Sequence, residues 1–124
     1  MSASTLAQDA ALAALEGGEP AVQMMVAEYD RRRRLLVDGL NRAGLPTFEP
    51  RGAFYAFPRI TSTDLDAETF SRRLLEEEHV AVIPGGAFGP SGENHVRACY
   101  ATSYERLEEA LLRIDRFVQR CRTH

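Results

Sequence analysis

His95-Val96-Arg97-Ala98-Cys99-Tyr100-Ala101 is the stretch on which the fold turns. Side chains alternate across a strand, so His95, Arg97, Cys99 and Ala101 share one face while Val96, Ala98 and Tyr100 share the other. A glycine-rich loop, Pro84 to Gly92, leads into this strand from a short apolar run, Val80-Ala81-Val82-Ile83, which reads as a buried strand. The loop is no dinucleotide fingerprint, because its glycines have the wrong spacing and it opens a strand instead of a helix. Beyond the strand, Ser103 and Glu105 start a helix with Leu107, Ala110, Leu111, Ile114, Phe117, Val118 and Cys121 as its inward face.

Working toward the N-terminus, Asp66 caps a helix with an apolar face of Ala67, Phe70, Leu74 and Leu75, and His79 sits where a left-handed residue ends it. Ala53-Phe54-Tyr55-Ala56-Phe57-Pro58 is an aromatic strand closed by proline, and Leu45 to Glu49 reads as a further short strand. Val22, Met25, Val26, Tyr29, Leu36, Val37 and Leu40 mark one long helix from Pro20 to Gly44. Arg31 to Arg34 fan around its axis, and Arg33 falls on the apolar stripe, where it needs an acid or a carbonyl. Thr5 to Glu16 forms a first helix of Ala and Leu that stops at Gly17-Gly18. The order α, α, β, β, α, β, β, α predicts an α+β domain: a small, mostly antiparallel sheet of about four strands, with helices packed on one side.

The chain has 124 residues, 44% apolar and 27% charged, enough for one domain with a core and too few for two. A formal charge of −3 offers no basic field, so neither nucleic acid nor a membrane surface is an expected partner. All fifteen basic residues are arginine. Without a lysine amine the chain cannot act alone as a Schiff-base enzyme, a P-loop phosphate binder or a lysine general base. Cys99 and Cys121 do not make a disulfide framework or a zinc cluster, so no metal is expected, and both read as reduced core thiols of a cytoplasmic protein. The N-terminus has no basic, apolar leader and no run approaches eighteen apolar residues, so no targeting or spanning segment is expected.

Arg97 is the residue with chemistry to offer. A guanidinium central to an apolar strand is costly unless it meets a protein carboxylate or a ligand anion, and the pattern by itself leaves both open.

Three blocks give this a context: Gly52-Ala53-Phe54-Tyr55 with Pro58; Val80 to Gly85 with Phe88-Gly89; and His95-Val96-Arg97 followed by Tyr100-Ala101-Thr102-Ser103. In this order the chain resembles the C-terminal, small domain of fold-type I pyridoxal-phosphate-dependent aminotransferases of class I/II, the aspartate-aminotransferase-like group. The resemblance implies amino-group exchange between an amino acid and a 2-oxo acid in an intact homodimeric enzyme. It implies that Arg97 binds the substrate α-carboxylate, that Phe54 and the backbone at Gly52 line the substrate entrance, and that the loop from Pro84 to Gly92 borders the mouth.

It also implies that residues 1–19 are a linking helix packed on an absent large domain, with residues 20–124 the small domain. The Schiff-base lysine, the other cofactor-holding groups and all catalytic groups would then lie outside these residues, leaving the chain inactive alone. The other expectations are a non-catalytic amino-acid-binding or interaction module, or one half of a split enzyme completed by a complementary chain.

Overall fold

The computed structural model describes residues 2–123. Four helices, α1 (Thr5–Gly17), α2 (Glu19–Arg42), α3 (Ala67–Glu78) and α4 (Tyr104–Arg122), accompany three strands, β1 (Tyr55–Ala56), β2 (Ile83–Pro84) and β3 (Val96–Cys99). The sheet is antiparallel throughout, in the order β1-β3-β2. It thus has three strands where about four were expected: the stretch from Leu45 to Glu49 contributes only an isolated bridge, Thr47 to Pro58. Proline at 46, 50 and 58 removes the N–H donors that a longer ladder there would need.

The helix termini follow their local chemistry. Asp66 accepts from the Thr69 backbone N–H at 2.8 Å and Ser103 from that of Arg106 at 3.3 Å. His79 ends α3 in the left-handed region at φ 56. Arg33, on the inward stripe of α2, donates to Asp30 at 2.6 Å and to Glu49 at 2.5 Å, which fastens the segment before β1 to the helix.

The core forms where α2 and α4 meet the inner sheet face. Leu36 and Leu40 from α2, Phe117 and Val118 from α4, Phe70 from α3 and Val96 from β3 are all buried. Phe70 and Phe117 pack edge to face, with ring centroids 5.3 Å apart. The inner sheet face is Ala56, Val96, Ala98 and Tyr100; the outer face is only partly covered among the described residues, with Tyr55 and Arg97 half-buried and Cys99 exposed. That openness corrects three expectations. Cys99 is an exposed thiol on the outer face, not a core one, while Cys121 is half-buried with its thiol pKa pushed up by burial. The run from Val80 to Ile83 pairs only at its end, and Ala81 and Ile83 are exposed. Leu75 is likewise exposed, because α3 buries only Phe70, Ser71, Leu74 and Glu78.

Glu78 is the buried acid, 7% exposed, and it joins α3 to α4. It accepts from Arg116 at 2.8 Å and Arg120 at 2.7 Å, and those guanidinium hydrogen bonds hold its carboxyl below the usual range. A depressed folded pKa gives stability that is complete above the ordinary carboxylate range and lost as pH falls through the folded value. Glu78→Gln is therefore expected to lower stability near neutral pH by about 2 kcal/mol and to flatten the acid limb of a urea-midpoint profile against pH.

The N-terminal arm is different in kind. No residue of α1 is buried, and α2 buries none before Leu36; Leu6 and Leu15 stand 82% and 86% exposed. Gly18 serves as C-cap of α1 and N-cap of α2 in a right-handed helical conformation. Among the described residues no helix is long and apolar enough to cross a membrane. In a monomer the α1 amides should exchange with solvent far faster than those of β3, since nothing beyond the helix's own bonds protects them; equal protection in hydrogen-exchange mass spectrometry would contradict this arrangement.

Candidate functional site

β3 places Arg97 on the outer sheet face by simple alternation, since Val96 and Ala98 are buried and Arg97 between them is half-buried. Across the ladder Ile83 faces Arg97, and Tyr55 faces Cys99. Tyr55 is thus a diagonal neighbour of Arg97 on the same face. The register continues to the bridge between Arg59 and His95, which sets Phe57 opposite Arg97.

The guanidinium carbon of Arg97 lies 4.3 Å from the Tyr55 ring centroid and 4.4 Å from that of Phe88. The guanidinium is thus within cation–π distance of two rings at once. A cation over a ring gains about 0.5–1 kcal/mol when exposed and about 2 when desolvated. Among the described residues no carboxylate pairs with Arg97 and no hydrogen bond uses its N–H groups. Of the two partners left open by the sequence, the protein carboxylate is therefore missing from the described residues.

Phe88 comes from the glycine loop. This loop is two short 3-10 turns, Gly85–Phe88 and Pro90–Gly92, joined at Gly89 with φ 123, a value that L side chains avoid. Its two ends touch backbone to backbone: a Cβ on Gly92 would collide with the Gly85 carbonyl, and one on Gly85 with that of Gly92. The Gly85 N–H donates to the His95 carbonyl at 2.8 Å and the His95 N–H to that of Gly92 at 3.0 Å, tying the loop to the start of β3.

Phe54 stands one ring further out. It packs on Tyr55 at 4.7 Å and stacks on Tyr29 at 6.0 Å, while Tyr29 meets the buried Tyr100 at 6.2 Å. The Tyr100 hydroxyl donates to the Ala53 carbonyl at 2.9 Å and holds Ala53 at φ 58. Burial pushes the Tyr100 phenol pKa up, which keeps it a donor at ordinary pH. Gly52 is exposed in the bend before β1, with open space above its Cα. The structure thus brings Arg97 and Tyr55 together, links Phe54 through Tyr55, and gives Gly52 no contact with the group.

Tyr55 and Phe88 are the neighbours of Arg97 that the sequence reading did not single out. The strand register would have found Tyr55, whereas Phe88 depends on the loop's path. A groove between α2 and α4, lined by Leu35, Gly39, Leu111 and Leu112 among others, includes none of these residues. No cluster of three metal-ligating side chains occurs among the described residues.

Residues 1–114 match the family profile of aminotransferase class I and II. The chain is 51% identical over 117 residues to an aspartate aminotransferase of Pyrococcus abyssi, covering 93% of this chain and 30% of that protein. It is 49% identical over 117 residues to aromatic-amino-acid aminotransferase 2 of Thermococcus litoralis, again covering 93% and 30%. Among solved structures, aspartate aminotransferase from Thermus thermophilus with maleate superposes with a TM-score of 0.78 at 42% identity, covering 86% of this chain and 27% of that one. The chain spans about 30% of the length of the curated relatives it matches.

Gly92→Ala should cost about 1–3 kcal/mol, the usual penalty of overpacking, because either the Gly85 carbonyl or the whole loop must yield. Urea denaturation reads the loss, and an unchanged midpoint would deny the backbone contact.

Proposed function

Since the chain belongs to the aminotransferase class I and II family, we propose that it is the carboxylate-binding segment of a pyridoxal-phosphate-dependent aminotransferase, with Arg97 holding the α-carboxylate of the amino acid or 2-oxo acid. One observation carries this reading: a guanidinium on the outer sheet face, packed against two rings, whose N–H groups meet no acceptor among the described residues. A guanidinium stays charged and presents a planar fork that matches a carboxylate with two parallel hydrogen bonds. Gripping the substrate there fixes its Cα in position, the largest service a binding residue can render to a proton transfer.

The residues of this chain do not by themselves fit the cofactor. No lysine occurs among the 124 residues, so there is no side-chain amine to link the pyridoxal aldehyde. We assign the lysine, the phosphate-binding groups and the proton shuttle to the part of the enzyme that this chain does not span. The chain alone is then inactive. In the intact enzyme, a cytoplasmic homodimer, Phe54 and the Gly52 bend border the substrate entrance, and the exposed leucines of α1 dock on the larger domain as the linking helix of residues 1–19, with 20–124 forming the small domain.

A chimera tests the reading: this chain replaces the segment it matches in the Pyrococcus abyssi aspartate aminotransferase. Transamination is expected from the chimera and none from the chain alone, and Arg97→Met in the chimera should lower kcat/KM by about a hundredfold or more. Turnover by the isolated chain, or an Arg97→Met chimera as active as its parent, would contradict it.

A further inference from the structure

We propose that Tyr55 and Phe88 are positioning residues that hold Arg97 edge outward, so that an incoming carboxylate meets the guanidinium only in its own plane; the inference rests on the carboxylate reading of Arg97. Among the described residues Arg42, Arg51, Arg59, Arg106 and Arg122 also lack an ion pair, but the arginines that are firmly located show what is unusual. Arg33 is located by Asp30 and Glu49, Arg120 by Glu77 and Glu78, and Arg73 by Glu77. Arg31 also lies over a ring, Tyr104 at 3.8 Å, yet it is paired with Glu28 at 3.4 Å. Among the described residues Arg97 has rings and no acid.

The chemistry of the two ways of holding an arginine differs. A carboxylate partner occupies the N–H fork and would compete with a ligand acid for the same donors. A ring occupies the face of the guanidinium and leaves every N–H free. Two rings therefore remove the rotational freedom of a long side chain without using the donors that the ligand needs. With two rings packed against the guanidinium, its N–H groups are the contact left to offer an acid.

The rings are themselves braced. Phe88 meets Phe57 edge to face at 5.7 Å, and the strand register sets Phe57 opposite Arg97. Tyr55 leans on Phe54, and Phe54 on Tyr29, which reaches the buried Tyr100. One jaw thus rests on the core and the other on a loop pinned to the start of β3.

The test uses the full chain, labelled with 15N, and the side-chain Nε–H signal of Arg97 in proton–nitrogen spectra, assigned by its loss in Arg97→Met. Two rings packed against the guanidinium should place this signal upfield of the other arginines. Phe88 is half-exposed, so its variants should leave folding intact, as the backbone spectrum will verify. Phe88→Leu should return the signal toward the common arginine position, and Phe88→Trp should keep it upfield. Pyruvate is the probe acid. Its dissociation constant, read from the Arg97 shift, should rise about three- to tenfold in Phe88→Leu and change less than about twofold in Phe88→Trp.

An Arg97 signal unmoved by Phe88→Leu overturns the clamp. A signal that moves while the pyruvate affinity stays equal overturns the positioning role. A wild-type chain whose ring-shifted Arg97 signal ignores pyruvate overturns the carboxylate reading, and the positioning role falls with it.

Discussion

A positive charge that its own chain leaves without an acid is the constraint from which the rest follows. Burying or half-burying a guanidinium is costly unless something meets its N–H groups, and eleven ion pairs among the described residues show how readily this acidic chain supplies carboxylates elsewhere. At Arg97 it supplies two aromatic rings instead. In the proposed reading the rings stabilise the cation and leave its N–H groups for a ligand, the property expected of a binding arginine and not of one that merely ties two elements together.

The scaffold behind Arg97 is built to make that arrangement firm. α2 and α4 enclose a core of Leu36, Leu40, Phe117 and Val118, and the sheet lays Ala56, Val96, Ala98 and Tyr100 upon it. Because the inner residues of β3 are locked in this core, alternation fixes the side on which Arg97 emerges. The Glu78 cluster joins α3 to α4 and contributes to stability. The partly covered outer sheet face and the unburied arm from Thr5 to about Ala27 leave large apolar side chains in solvent, the mark of surfaces meant for contact. The chain spans about 30% of the length of its curated relatives.

Much of this was legible in the sequence. The four helices, the caps at Asp66 and Ser103, the left-handed His79, the acidic partners of Arg33 and the outward face of Arg97 all follow from periodicity and local hydrogen bonding. What was not legible shares one cause. Reading Val80 to Ile83, Leu75 and Cys99 as buried assumes a layer on both sides of the sheet and around α3, and a pattern of apolar residues cannot say whether the layer that covers them belongs to the same 124 residues. The expected strand at Leu45 to Glu49 failed for a different reason, since prolines limit that stretch to a single bridge. Phe88 escaped because a glycine loop has no period: where its ring falls is set by the path of the loop.

The most direct test of the central claim is a crystal structure of the chain grown with maleate, a small dicarboxylate. The prediction is a carboxylate lying in the plane of the Arg97 guanidinium, both oxygens about 2.7–2.9 Å from its nitrogens, with Tyr55 and Phe88 still packed against it. Arg97 swung away from the two rings onto a carboxylate of the protein, with maleate bound elsewhere or not at all, would contradict it.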